Sequence, residues 1–269
     1  MGIHHDEPSS PRPSDQWLAY FRDNACNLLA LPWDGGAQLT AAEREAIAAS
    51  VQEFQLGESS EGRNLISAAR AYAERTGDAA YLHALLMFIA EEHRHARDLG
   101  RFLDLAGVPR AGHAWPDTVF RWLRRGAGLE ASIVVLVTAE VIAKVYYAAL
   151  RDATASPLLR RLCDQILRDE VAHVHFQAER LAILRAGRAR WSVRLRSSLH
   201  RFLMFGTIFV VWHKHRRAMK AGGYRFQRFW RETWIEMRAA LATAEPAAAG
   251  RAVGRAPGAV AIEPAVAAR

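Results

Sequence analysis

The sequence of 269 residues contains only two cysteines, Cys26 and Cys163, which lie 137 residues apart. Without a Cys-x-x-Cys pair, we expect no zinc ribbon, rubredoxin-type iron site or redox dithiol. Few cysteines are typical of a reducing compartment, so we expect a cytoplasmic protein. The first 15 residues are polar and contain Pro8, Pro11 and Pro13 rather than an apolar stretch, which argues against a secretory signal.

Other signals are also missing. No segment has the alternating pattern of a β-strand, and no glycine motif for dinucleotide or flavin binding is present. The largely apolar run from Phe202 to Trp212 covers 11 residues, whereas a membrane-spanning helix needs about 20. We therefore expect an all-α protein that carries no nucleotide, flavin or iron–sulfur cofactor.

What the sequence does have is the pattern of a four-helix bundle over 39–185, with apolar residues at helical spacing. Thr40 and Glu43 form a capping-box pattern that predicts a helix start near residue 41. This first helix continues, bent near Gly57 and Gly62, to a turn at Gly77. A longer connection, 110–125, separates two helical hairpins, and the remaining predicted helices are 79–106, 128–152 and 157–185.

The regions outside the bundle are predicted from composition. Residues 1–38 are interpreted as a tail that packs loosely on the bundle. Two further helices form a basic extension over 186–243, and 244–269 is a disordered tail rich in Ala and Pro. The fold prediction is therefore a four-helix bundle with two additional C-terminal helices.

The second and fourth predicted helices carry the same pattern, an acid followed by Glu-x-x-His. Residues three apart share one face of a helix, so Glu92 with His95, and Glu170 with His173, each offer a carboxylate and an imidazole to one point. Both pairs lie on apolar stripes. Because a charged carboxylate in a core is costly unless it is paired or binds a metal, these pairs predict a metal site.

The other two helices each supply a further acid. Glu140 is the only charged residue within 131–143, on the face that is predicted to be buried. In the first helix the choice lies between Glu58 and Glu61. Glu92 follows the turn at Gly77 by 15 residues, and the same distance back along the first helix favours Glu61, with Glu58 as an extra ligand.

This arrangement resembles the ferritin-like di-iron carboxylate superfamily, which includes rubrerythrin, bacterioferritin and the small subunit of ribonucleotide reductase. The resemblance covers about 41–185, and its residues in chain order are Glu61, Glu92, His95, Glu140, Glu170 and His173. The four cysteines of rubrerythrin are absent, and the chain is longer than a bacterioferritin.

The resemblance implies a role for each residue. Glu92 and Glu170 would bridge two metal ions, the two other glutamates would each be a terminal ligand, and each metal would take one histidine. Glu91 and Asp169, which precede the bridging residues, would each hold the second ring nitrogen of the opposite histidine. Mixed oxygen and nitrogen ligands suit Fe or Mn better than Zn, so we expect two Fe ions, with Fe and Mn as the alternative.

The resemblance further implies an oxidoreductase that uses O2 or peroxide and an external electron donor. A core rich in Leu, Ile, Val and Phe favours a small or acyl-chain, apolar substrate. A ferritin-like protein that oxidises or stores iron or manganese without an organic substrate is the first alternative. A helical module that docks to a membrane or to nucleic acid is the second.

The charge of the chain is concentrated in one segment. The net charge is +8, yet 185–231 contains 13 Lys and Arg residues and no Asp or Glu, which leaves a net charge of −5 elsewhere. Three interpretations stay open: a solvated basic face packed on the bundle, a membrane-surface element, or nucleic-acid binding, which no recognised motif supports. A homodimer and peripheral attachment to a membrane are both compatible with the sequence.

Overall fold

A computed structural model describes residues 11–59, 62–112 and 128–245. Most of these residues are helical and none of them forms a strand, which confirms the all-α prediction. The α-helices of the described chain are α1 (Ser14–Cys26), α2 (Ala41–Glu58), α3 (Arg63–Thr76), α4 (Ala79–Leu105), α5 (Leu129–Asp152), α6 (Pro157–Arg185), α7 (Arg190–Ala221) and α8 (Phe226–Thr243).

We call the four helical segments of the bundle its legs. Helices α2 and α3 together form the first leg, and α4, α5 and α6 are the second, third and fourth. Thr40 and Glu43 form a complete capping box at the start of α2. The first leg is interrupted after Glu58, and α3 begins after Gly62, whose φ of 60° is in the left-handed region that favours glycine. This first leg packs against α4, and α5 packs against α6.

Helix α5 is the most apolar helix of the bundle. Among the described helices, it is the one long and apolar enough to cross a membrane by composition, with a mean hydropathy of 1.9. However, 72% of that apolar window is buried inside the bundle, as in the core helix of a globular protein. Its side chains, such as Ile133, Val137 and Val141, are almost completely buried.

The N-terminal segment corrects the sequence interpretation. Instead of a loosely packed tail over 1–38, residues 14–26 form helix α1, which packs against α4. Trp17 and Phe21 are 2% and 0% exposed, and their rings contact Phe176 at centroid distances of 5.4 and 5.2 Å. The physical reason is that Trp17, Phe21 and Asn24 share one face of a helix, and this face covers the bundle.

The two C-terminal helices pack on the bundle as well. The inner face of α7 contacts α2 and α5, and α8 contacts α5 and α6. His200 bonds Thr138 of α5 (3.1 Å), and Nδ1 of His215 lies 2.8 Å from the hydroxyl oxygen of Ser50 on α2. Most of the predicted connection 110–125 and of the predicted tail 244–269 lies outside the described residues.

Candidate metal centre

Six buried or half-buried side chains of the bundle converge near its middle, and we call them the metal-binding cluster. They form two groups, and within each group one ligand atom per residue lies within 4.8 Å of the others. Glu92 and Glu170 belong to both groups. Glu58 and His95 complete the first, and Glu140 and His173 complete the second.

Each leg of the bundle positions its part of the cluster. Glu58 is the last residue of α2, and Glu140 lies in the middle of α5. The two Glu-x-x-His pairs are on α4 and α6, where the spacing of three residues turns both members of a pair inward. Four carboxylates and two imidazoles are thereby held in an apolar interior, where unpaired charge is costly.

The two histidines are oriented by acids on the opposite helix. Nε2 of His95 lies 3.0 Å from Oδ2 of Asp169, and Nε2 of His173 lies 2.9 Å from Oε2 of Glu91. These are the pairs that the family resemblance implied. Because the carboxylate accepts a hydrogen bond from Nε2–H, the Nδ1 lone pair of each ring is left free to bind a metal.

The inner atoms of the cluster are the ones that lack partners. Within the described structure, Nδ1 of both histidines and both carboxylate oxygens of Glu170 make no hydrogen bond. Nδ1 of His173 has Oε1 of Glu92 only 3.0 Å away, yet no hydrogen bond forms. Buried polar atoms without partners are rare in folded proteins, and here they all face one another. This donor set therefore fits a pair of metal ions.

The acids Glu91 and Asp169, which we call the outer acids, are themselves tied together by α1. The side-chain nitrogen of Asn24 donates to Oε1 of Glu91 (2.6 Å) and to Oδ1 of Asp169 (2.9 Å). Gln165 and Arg94 also bind Asp169. Sequence reasoning missed Asn24; its place on the same helical face as Trp17 and Phe21 was the available signal.

The electrostatics of the cluster reflect an excess of acid. Burial and the neighbouring Glu92 raise the pKa of Glu58 well above its usual value, and burial and Glu170 do the same for the pKa of Glu140. Burial raises the pKa of Glu170 to about 7. Although burial acts in the opposite direction, bonds from His95, Asn24 and Gln165 lower the pKa of Asp169. The inner acids therefore retain protons that cations could replace, while the outer Asp169 stays ionised.

The first leg of the bundle supplies Glu58 to this cluster. Glu58 is 7% exposed, and its Oε1 accepts a hydrogen bond from the hydroxyl of Tyr147 at 2.6 Å. Glu61, which residue counting favoured, lies outside the described residues. The count assumed an unbroken first helix, whereas α2 ends at Glu58 and α3 begins at Arg63.

Another buried polar group lies one turn beyond the cluster. Gln177 is on the same face of α6 as Glu170 and His173 and is 0% exposed. Neither atom of its side-chain amide makes a hydrogen bond within the described structure. Gln177 thus offers a donor and an acceptor to a small polar group in the bundle interior.

Comparison with known proteins gives a likeness of fold. No protein-family model and no curated protein matches the sequence. Among solved structures, an R2-like ligand-binding oxidase with an aerobically reconstituted Mn/Fe cofactor has a TM-score of 0.65 at 14% identity, and the match covers 90% of this chain and 98% of that one.

Two single-residue variants of R2-like ligand-binding oxidase, also with aerobically reconstituted Mn/Fe cofactors, give similar results. Their TM-scores are 0.65 and 0.66 at 16% and 13% identity, and the matches cover 90% and 86% of this chain and 99% and 97% of those chains. These proteins are ferritin-like helical bundles, so the predicted fold is confirmed for the described residues.

Proposed function

We propose that this protein is an oxidase with a dinuclear carboxylate centre of two Fe ions, or of Mn and Fe. The observation that carries the proposal is the pair of overlapping ligand groups that share Glu92 and Glu170. Oxygen-rich sites with one imidazole for each metal suit iron and manganese. The structurally similar oxidases carry Mn/Fe cofactors, which is consistent with this choice.

In this proposal, Glu58 and His95 would hold one metal and Glu140 and His173 would hold the other, and Glu92 and Glu170, which belong to both groups, would serve both metals. When bound, the two metals supply the redox chemistry that lets O2 oxidise a substrate. The chain contributes the positions of the ligands: each outer acid holds one imidazole ring in place through Nε2.

The protein also controls protons and water at the site. The inner carboxyl groups, whose pKa values are raised by burial, would release their protons when cations bind. Water is excluded by aromatic rings: the ring of Phe88 lies 4.7 Å and that of Phe21 6.2 Å from the ring of His173, centroid to centroid. A dry, apolar interior favours a small or acyl-chain substrate, and Gln177 would bind its polar group.

Metal analysis of the purified protein tests the proposal. We expect about two Fe or Mn ions per chain in the wild type, and ferric absorption that decreases on reduction and returns in air. Both signals should be lost in a Glu140→Ala, Glu170→Ala double variant. The matched control, Glu45→Ala with Glu74→Ala, removes two exposed glutamates and should leave the metal content unchanged.

The oxidase activity is tested separately, by O2 consumption of the reduced, metal-loaded protein with fatty acids of increasing chain length. Consumption that depends on an acyl substrate and is absent from the double variant is the expected result. A wild type that binds no transition metal after anaerobic reconstitution would refute the metal centre. Oxidation of many Fe ions per chain without any organic substrate would refute the oxidase and favour iron handling.

A further inference from the structure

Helix α7 has two different faces. Its inner face, which includes Val193, Met204 and Ile208, is buried against the bundle. Its outer face carries seven exposed large apolar side chains: Trp191, Leu195, Leu199, Phe202, Phe205, Phe209 and Val210. Trp191 and Phe202 are 71% and 76% exposed. We call these seven side chains the outer stripe.

The outer stripe is continuous and long. Its members recur mostly at intervals of three and four residues, so they lie along one side of the helix. From residue 191 to residue 210 the stripe extends about 29 Å at 1.5 Å per residue. Proteins rarely expose so much connected apolar surface unless it binds something.

Partly buried aromatic residues of α8 widen the outer stripe. The ring of Phe205 lies 5.5 Å from that of Trp230, and the ring of Phe209 lies 5.4 Å from that of Phe226, both measured between centroids. Tryptophan and other amphipathic aromatic residues are favoured where an apolar phase meets water.

Basic residues border the outer stripe on both sides. Arg190, Arg194 and Arg201 lie along one edge, are exposed, and form no ion pair with any described residue. On the other edge, Arg196 pairs with Glu130 and Lys214 pairs with Glu53. Further basic residues, Arg216, Arg217 and Lys220, follow the stripe at the C-terminal end of α7.

We propose that the outer stripe of α7 docks this protein on the surface of an anionic lipid bilayer. An apolar stripe with basic borders is the pattern by which a helix lies in the plane of a bilayer. The apolar side chains would enter the boundary between headgroups and acyl chains, while the arginines contact lipid phosphates. Each basic residue near an anionic surface contributes about 1 kcal/mol, a factor of about five in affinity.

The charge of this surface argues for lipid over the other candidates. A second copy of the chain docked on the same stripe would bring two basic borders together, and like charges at close range oppose association. Nucleic acid would satisfy the arginines but would leave seven large apolar side chains without an apolar partner. An anionic membrane satisfies both parts of the surface.

Sedimentation with lipid vesicles tests the proposal. The probes are large unilamellar vesicles of phosphatidylcholine and phosphatidylglycerol (7:3), compared with vesicles of phosphatidylcholine alone. We expect the metal-free and metal-loaded proteins to bind the anionic vesicles at least tenfold more tightly than the neutral ones. Binding without metal would separate this proposal from the function proposed above.

Two variants examine the two parts of the surface. Arg190→Gln, Arg194→Gln and Arg201→Gln together should weaken binding to anionic vesicles about 100-fold, from three factors of about five. Trp191→Gln, Leu199→Gln and Phe202→Gln together should weaken it at least tenfold. Because all six side chains are exposed, both variants should keep the wild-type circular dichroism spectrum. The matched control replaces three exposed leucines elsewhere, Leu28, Leu86 and Leu105, by Gln and should bind like the wild type.

Three results would overturn the proposal. One is the absence of vesicle binding by the wild type. Another is a wild-type dimer in analytical ultracentrifugation that becomes a monomer in the apolar variant, since a second copy would then cover the stripe. The third is binding of the protein to a 20-base-pair DNA duplex from which the anionic vesicles do not displace it.

Discussion

Replacing Glu170 by Gln should stabilise the metal-free protein and abolish its stabilisation by metal. Glu170 is completely buried between three other carboxylates and two histidines, and burial raises its pKa to about 7 from an ordinary 4.5. Gln has nearly the same shape and no charge, so Glu170→Gln removes the cost of ionising this carboxyl in the bundle while keeping its volume.

The magnitude and the pH dependence follow from the two pKa values. Below pH 4.5 the carboxyl is protonated in both the folded and the unfolded state, so it has no effect. Between pH 4.5 and about 7 the unfolded chain releases the proton while the folded protein keeps it, so the wild type loses stability as the pH rises. Above pH 7 the loss amounts to about 3 kcal/mol.

Urea unfolding of the metal-free protein at pH 5 and pH 8 measures this effect. We expect Glu170→Gln to be about 3 kcal/mol more stable than the wild type at pH 8, and within 1 kcal/mol of it at pH 5. Metal at 100 times its dissociation constant should add about 2.7 kcal/mol to the wild type and little to the variant.

The exposed Glu74→Gln serves as the control, and it should match the wild type at both pH values. A variant that is less stable than the metal-free wild type at pH 8 would refute the reasoning. In that case the buried carboxylate would be stabilised by its histidines by more than its burial costs.

Three other predictions follow from contacts described above. Asp169→Asn replaces the carboxylate that holds Nε2 of His95 by a neutral amide, so metal affinity measured by chelator competition should fall about 10- to 100-fold. An unchanged affinity would contradict this role. His200 is buried beside Thr138, and burial lowers its pKa to about 3. Because the unfolded chain binds a proton at this histidine near pH 6.5, the wild type should be less stable than His200→Asn by about 3 kcal/mol at pH 4. Unfolding free energies of the two proteins that change in parallel with pH would contradict this prediction. Phe21→Ala should cost about 3 to 5 kcal/mol of unfolding free energy, measured by urea unfolding; a loss below 1 kcal/mol would mean that α1 is not part of the core.

Much of the site could be predicted because its signals are local. The spacing of three residues places Glu and His of each pair on one face of any helix, and a single acid within 131–143 is conspicuous in an apolar run. Such patterns depend on helical geometry alone. For this reason the places of Glu92, His95, Glu140, Glu170 and His173 could be inferred before the fold was known.

The choice between Glu58 and Glu61 could not be settled in this way. Counting back from a turn requires a continuous helix, and the first leg breaks after residue 58. Gly57 and Gly62 indicated a bend, but the size of the resulting offset depends on how α3 packs against α4. Helix α1 was missed for a related reason. Trp17, Phe21 and Asn24 share one face, but the sequence does not show that this face packs on the bundle.

The contact of Asn24 with both outer acids has a consequence for the kinetics of metal exchange. One amide group spans Glu91 and Asp169, and its oxygen accepts a hydrogen bond from Arg168. Separation of α1 from the bundle would remove the Asn24 hydrogen bonds from both outer acids in one event. The two metal positions would then exchange together, at the rate at which residues 14–26 undock and become open to proteases or hydrogen exchange.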